Sequence, residues 1–243
     1  MKGPLIEAIE ATLSYKDQEE TVHACKGVSL TIHEGEFVGV VGPSGSGKSS
    51  LLFLLSGLKD PTAGDVLYKG VSYRSLSDAR RASLRRKEFG FILQHPFLLG
   101  YLTALENVLC LYDGLPRAKE RAMELLESLG LKGKAHRLPA ELSMGEKQRV
   151  SVARAIFHSP HVIFADEPTA SVDRETGQRM VSLIRAHSTG TLILATHDPA
   201  ILKEADRILV LEGGHVREVV DKRALIEMEL PSLGTPKEKN PPR

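Results

Sequence analysis

The sequence predicts an α/β fold: a mostly parallel central sheet, an antiparallel β subdomain beside it, and an inserted helical subdomain. Three observations predict it. An apolar strand at Phe37–Val41 runs into a glycine-rich loop and then a helix from Lys48. Two further apolar stretches, Val162–Ala165 and Thr191–Ala195, are separated by a helical pattern over Arg174–Ala186, the alternation of a doubly wound sheet. Short alternating segments on both sides of the glycine loop, at 5–13, 28–32 and 62–75, have the period of half-buried antiparallel strands.

In chain order, the 5–13 and 28–32 segments read as paired strands, with Gly35 turning into the buried strand from Phe37. After the loop at 42–47, the helix is expected over Lys48–Leu58, stopped by Gly57 and by Pro61 beyond. Residues 62–75 return as strand-turn-strand and are expected to pair with the N-terminal strands at a sheet edge. Ser77–Lys87 is strongly basic (Arg80, Arg81, Arg85, Arg86, Lys87) and reads as a solvated helix face. Phe89–Leu93 is a buried strand. Residues 103–157 are mainly helical, with N-caps at Thr103 and Ser143, each followed three residues on by a glutamate, Glu106 and Glu146. The last expected strand lies around Ile208–Leu211, before Gly213-Gly214. The whole reads as a single domain over 1–230, its helical subdomain at about 95–157, with 231–243 a disordered tail rich in Pro and Lys.

Composition excludes several functions. Thirty-two Lys+Arg against 31 Asp+Glu give a net charge of +1, without the basic excess of a nucleic-acid binder. Cys25 and Cys110 form no CxxC or Cys/His cluster and read as ordinary buried thiols. The N-terminus reaches Glu7 without a long apolar stretch, and no run approaches the roughly 18 apolar residues of a membrane span. Any membrane role is expected to come through a partner.

Gly42-Pro43-Ser44-Gly45-Ser46-Gly47-Lys48-Ser49 fits G-x-x-x-x-G-K-[ST], the P-loop pattern. Its glycines let backbone N–H groups wrap a triphosphate at a helix N-terminus. Lys48 is expected at the β- and γ-phosphates and Ser49 on Mg²⁺, and Ser50 is counted with the nucleotide-binding positions. A P-loop NTPase core needs a second apolar strand ending in a carboxylate for the metal, and His161–Asp166 supplies it with Asp166. Glu167, at the same strand end, is placed to act as general base on water; its alternative is a capping or surface acid.

Leu142-Ser143-Met144-Gly145-Glu146-Lys147-Gln148-Arg149, shortly before that strand, resembles the LSGGQ signature of the ABC ATPases. Ser143 and Glu146 also read as a capping box with no ligand, and the two roles are compatible. The resemblance runs from about residue 5 to 220. It implies that Gln94 is the Q-loop glutamine, contacting Mg²⁺ and the attacking water, and that Ala170–Asp173 is the D-loop, with Asp173 reaching across a dimer. It implies that His197 is the switch histidine bonding the γ-phosphate and that Tyr15 stacks on adenine; Tyr15 also reads as a cross-strand packing residue. Two copies are expected to sandwich two Mg-ATP, with Ser143, Gly145 and Glu146 of one serving the nucleotide of the other. Met144 departs from the pattern, replacing a glycine, and is expected to slow hydrolysis without abolishing it.

Leu102–Val108 and the glutamate at the fifth signature position look like the macrolide-export and lipoprotein-release group. That implies a peripheral subunit on the cytoplasmic face of the inner membrane, driving export or extraction by a permease, with no direct contact to cargo or nucleic acid. Pro96–Tyr101 is the expected permease-docking run, with packing into the helical subdomain as its alternative. A soluble ABC ATPase of translation or repair lacks support, since neither a second cassette nor a coiled-coil insertion is present. Another P-loop NTPase would leave Ser143, Gly145, Asp173 and His197 unexplained.

Overall fold

The structure, a computed structural model, describes residues 3–17, 20–110, 117–187 and 190–219. The expected tail at 231–243 lies outside the described residues. Two long strands open the chain, β1 (Pro4–Asp17) and β2 (Glu20–His33), followed by β3 (Phe37–Val41) and helix α1 (Lys48–Leu55). Next come β4 (Ala63–Tyr68), β5 (Val71–Ser72), α2 (Asp78–Glu88) and β6 (Phe89–Ile92). Helices α3 (Ala104–Leu109), α4 (Ala118–Ser128) and α5 (Met144–Ile156) lead to β7 (Val162–Asp166), α6 (Arg174–His187), β8 (Thr191–Thr196), β9 (Arg207–Glu212) and β10 (His215–Val219).

The strands form two sheets. The first, in order β2-β1-β4-β5, is antiparallel. The second runs β10-β9-β3-β8-β7-β6, parallel from β9 to β6. Its edge strand β10 is antiparallel to β9. This last strand is absent from the sequence expectation, which ended at Leu211. Gly213 and Gly214 do not terminate the sheet: both have positive φ, as a two-residue hairpin turn requires, and return the chain alongside β9.

Helix α1 lies between the two sheets. Leu51, Leu52, Leu54 and Leu55 are all buried, in one cluster with Ile6, Ile32 and Val66 of the first sheet and Val38, Val40, Phe164 and Ile193 of the second. A helix apolar on several sides must be covered on several sides, and each such leucine contributes about 2 kcal/mol. The helix ends at Leu55 rather than Leu58. Gly57, at φ 63, sends its N–H to Leu54 O, and Leu58 N donates to Phe53 O, the paired bonds of a Schellman stop.

The opposite face of the parallel sheet packs on α3, α4, α5 and α6 through Phe37, Val41, Ile92, Leu105, Val108, Leu126, Val150 and Ile184. Both expected capping boxes are present, Thr103 with Glu106 and Ser143 with Glu146. The arginine run is not simply solvated. Arg85 donates to Gly57 O at 2.9 Å, and Arg81 pairs with Asp60 and Asp78, tying α2 to the loop that ends α1. Cys25 is buried, which pushes its thiol up to about 12, whereas Cys110 is only half-buried. Among the described residues no helix is long and apolar enough to cross a membrane.

Candidate functional site

Parallel strands β3, β7 and β8 end on one edge, where the loops after them meet. The P-loop after β3 is forced into shape by neighbouring backbone. A Cβ on Gly47 would sit 2.2 Å from Ala24 O, and one on Gly42 2.3 Å from Leu211 O. Gly47 also has φ 103, so the loop passes β2 and β9 at distances only glycine allows. Lys48, only 8% exposed, donates Nζ to Gly42 O at 2.9 Å and to Pro43 O at 3.2 Å. Its nitrogen lies 3.9 Å from Glu167 Oε1.

The loop borders a cavity of about 930 Å³. Its wall includes Tyr15, Ser44, Gly45, Ser46, Gly47, Lys48, Ser49, Ser50, Gln94, Asp166, Glu167 and His197. Residues predicted from five separate stretches of sequence thus face one space, of a volume suited to a nucleotide. Gly42 and Pro43 are not on the wall and instead hold Lys48 through their carbonyls. Tyr15 pairs with Val22 across β1 and β2, and its hydroxyl lies 3.3 Å from Ser50 Oγ.

Asp166 ends β7, buried, with Oδ1 making no hydrogen bond. Burial pushes its carboxyl above the usual Asp range and the adjacent Glu167 adds to that, against the Ser49 hydroxyl and the charge of Lys48. A desolvated, unpartnered carboxylate oxygen beside a hydroxyl is a donor pair that suits Mg²⁺, a hard cation that takes oxygen. Among the described residues no three His, Cys, Asp or Glu side chains gather to hold a metal by themselves. Ser49 and Asp166 therefore fit an ion whose other oxygens come from phosphate and water.

Glu167 is held in an unusual backbone state. Its φ is 46, outside the range L residues prefer, at a cost of about 1 kcal/mol. Its N–H donates to Ala195 O at 2.9 Å, which pins the turn after β7 to strand β8. The carboxylate bridges Lys48 on one oxygen and His197 Nδ1, at 2.9 Å, on the other. Backbone strain at the residue nearest both the cation and the imidazole is typical of groups positioned for chemistry.

The remaining predicted residues form a second group. None of Ser143, Gly145, Glu146 and Asp173 is on the cavity wall. Ser143 Oγ accepts from Glu146 N at 3.3 Å, and Glu146 Oε2 accepts from Ser143 N at 2.8 Å. Lys134 reaches Glu146 at 3.4 Å. A Cβ on Gly145 would stand 3.0 Å from Ser171 O, so the start of α5 packs against the 170–173 loop. Asp173 accepts from Thr176 N and Oγ1 at the start of α6, which holds its carboxyl below the usual range. Met144 is 49% exposed on this surface.

The Pro96–Tyr101 run divides between its two expected roles. Pro96 is buried and Leu98 packs on the helical core, while Phe97, Leu99 and Tyr101 stand in solvent, Tyr101 at 77%. Sequence reasoning missed one wall of the cavity, Thr21 to Ala24, Lys26 and the Gly213-Gly214 turn. The available signal was the pairing of β1 with β2, which puts Val22 opposite Tyr15.

The profile of the ABC transporter family matches residues 25–170. The chain is 41% identical over 208 residues to the lipoprotein-releasing system ATP-binding protein LolD of Legionella pneumophila (strain Lens), covering 83% of this chain and 92% of that protein. It is 43% identical over 239 residues to the macrolide export ATP-binding/permease protein MacB of Rhodospirillum rubrum, covering 96% of this chain. It spans only 37% of that MacB protein's length. Among solved structures it superposes on the dimeric post-hydrolysis state of the ATP-binding cassette MJ0796 bound to ADP and Pi, with a TM-score of 0.83 and 36% identity over 88% of this chain and 98% of that one.

Proposed function

This chain belongs to the ABC transporter family, and from that premise we propose which of its residues bind and hydrolyse ATP and which partners they serve. It is an ATP-binding, ATP-hydrolysing cassette with Mg²⁺ as cofactor. In our reading the P-loop amides of Ser44 to Ser50 wrap the triphosphate, Gly42 and Pro43 shape the loop and hold Lys48 through their carbonyls, Lys48 turns to the β- and γ-phosphates, and Tyr15 stacks on adenine. Ser49, Gln94 and Asp166 hold Mg²⁺, which when bound offsets negative charge on the phosphate oxygens. Glu167 takes a proton from the attacking water, while His197 donates to the γ-phosphate. Positioning and charge supply most of the acceleration. The observation that carries this reading is the convergence of Lys48, Ser49, Gln94, Asp166, Glu167 and His197 on one cavity.

Residues 1–230 act as one cassette in this reading, with the helical segment 95–157 presenting Ser143, Gly145 and Glu146 to the nucleotide of a second copy. Asp173 contacts the same neighbour. The exposure of Ser143 and Asp173, away from their own cavity, supports a role in a facing subunit. ATP closes the pair because γ-phosphate contacts span it, which is the differential interaction a ligand-driven switch needs. A permease of the macrolide-export or lipoprotein-release type reads that closure through Phe97, Leu99 and Tyr101. The likeness to LolD and to the ATP-binding part of MacB supports this partner. The cassette then sits peripherally on the cytoplasmic face of the inner membrane, serving export or extraction without touching cargo or nucleic acid.

Steady-state hydrolysis by purified wild type and Glu167→Gln tests the chemistry. Turnover is expected to fall roughly 100- to 1,000-fold with ATP affinity retained. Hydrolysis that survives the substitution would remove Glu167 from its role.

A further inference from the structure

The segment that follows β6 hangs from a helix. Gln148, on the second turn of α5 and 2% exposed, donates Nε2 to Leu93 O at 3.1 Å. Arg154, on the last turn of α5, donates to Pro96 O at 2.7 Å and to Phe97 O at 3.0 Å. The backbone carrying Gln94 is therefore gripped on both sides of that residue by side chains of one helix, six residues or about 9 Å apart along its axis.

Two further features mark this grip as more than packing. Phe97 is 67% exposed and has φ 42, so the backbone at the Arg154 bond is held in a conformation an aromatic residue rarely adopts. Gln148 Oε1 is buried without a hydrogen-bond partner. A methionine would fill the same space without an orphaned oxygen, so the amide is justified by its donor bond to Leu93 alone. The guanidinium fork of Arg154 meets two successive carbonyls with separate nitrogens, Nη2 on Pro96 O and Nη1 on Phe97 O, a fixed planar geometry that the single nitrogen of a lysine does not reproduce.

We propose that α5 is a strut in which Gln148 and Arg154 are positioning residues. They fix where Gln94 enters the ATP cavity, and they make the exposed Phe97 surface, Gln94 and the Ser143 end of α5 move as one body. Displacement of Phe97 by a membrane partner is then passed to both halves of the ATP site through a single helix. The inference rests on the reading of Gln94 as a hydrolysis residue.

A double-mutant cycle on the full chain tests it, with Arg154→Lys, Gln94→Ala and their combination assayed for kcat and KM in Mg-ATP. Gln148→Met serves as a second, near-isosteric probe, and melting temperature is followed for each. Arg154→Lys and Gln148→Met are each expected to lower kcat by about tenfold, with KM and melting temperature little changed. Amide exchange over 94–101 should rise while the P-loop stays protected. On a Gln94→Ala background, Arg154→Lys should add almost nothing, because both act through the same side chain. Additive losses, an unchanged kcat, or a fall in kcat, KM and melting temperature together would overturn the strut. Should Gln94→Ala alone leave kcat intact, the role given to Gln94 fails, and the strut fails with it.

Discussion

Two helices of this chain begin at predicted phosphate sites, and they begin differently. Helix α1 starts after Gly47 in a left-handed conformation, with no side-chain cap and no acid in its first turn. Its flanking residues Ser46 and Lys48 are buried. Helix α5 starts at Ser143 with a complete capping box, an acid in the first turn and a lysine on that acid. Ser143 and Met144 are exposed. An uncapped helix end beside a buried cation is prepared for an anion from its own chain. A self-capped end on the surface is stable alone and gains a phosphate only when another body brings one. In the proposed reading, the difference separates a half-site prepared for the nucleotide of its own chain from one offered to the nucleotide of a facing copy.

The largest effect is expected at α1. Gly47→Ala forces a Cβ against Ala24 O in a backbone region alanine disfavours, and we expect about 3 kcal/mol of lost stability together with lost ATP binding, read by chemical denaturation and nucleotide titration. At α5, Ser143→Ala removes both the cap acceptor and the hydroxyl offered to the neighbour. If the serine only caps, stability falls by about 1 kcal/mol and turnover of the folded protein is unchanged. If it also serves the nucleotide of a facing copy, turnover falls roughly 100-fold as well.

Met144→Gly sharpens the same contrast on a smaller scale. Removing an apolar side chain from the outward half should raise turnover about threefold, since only ATP held by a facing copy meets it. Unchanged turnover would mean that the methionine is merely tolerated.

The smallest effect is a pH dependence. The Ser143 N–H and then Lys134 hold the Glu146 carboxyl below its ordinary 4.5. A depressed acid contributes stability that is present above its unfolded value and lost as pH falls through the folded one. Melting temperature should therefore drop more steeply below pH 4.5 in wild type than in Glu146→Gln, which keeps the cap but cannot titrate. Parallel acid limbs would argue against a contribution from this carboxylate.

The convergence of the P-loop and the Asp166 strand end on one cavity was legible because its requirements are local. Glycines at fixed offsets before Lys48 and Ser49, and an apolar strand ending in Asp166, follow from backbone geometry and need no knowledge of neighbours. The capping boxes at Thr103 and Ser143 were legible for the same reason. What stayed hidden depended on distant partners. The bonds of Arg81 and Arg85 to the loop after α1, and the grip of Gln148 and Arg154 on residues 93–97, join segments tens of residues apart. The end of α1 was misplaced because apolar periodicity continues to Leu58 while the Schellman bonds decide at Leu55. Strand β10 was missed because polar residues in His215–Val219 weaken the pattern that its hairpin turn announces.

Whether the two proposed half-sites need each other can be read from the mass of Glu167→Gln in solution. Size-exclusion chromatography with light scattering would be run in Mg-ATP and again in Mg-ADP. A dimer is expected with ATP and a monomer with ADP. The same mass in both nucleotides would contradict it.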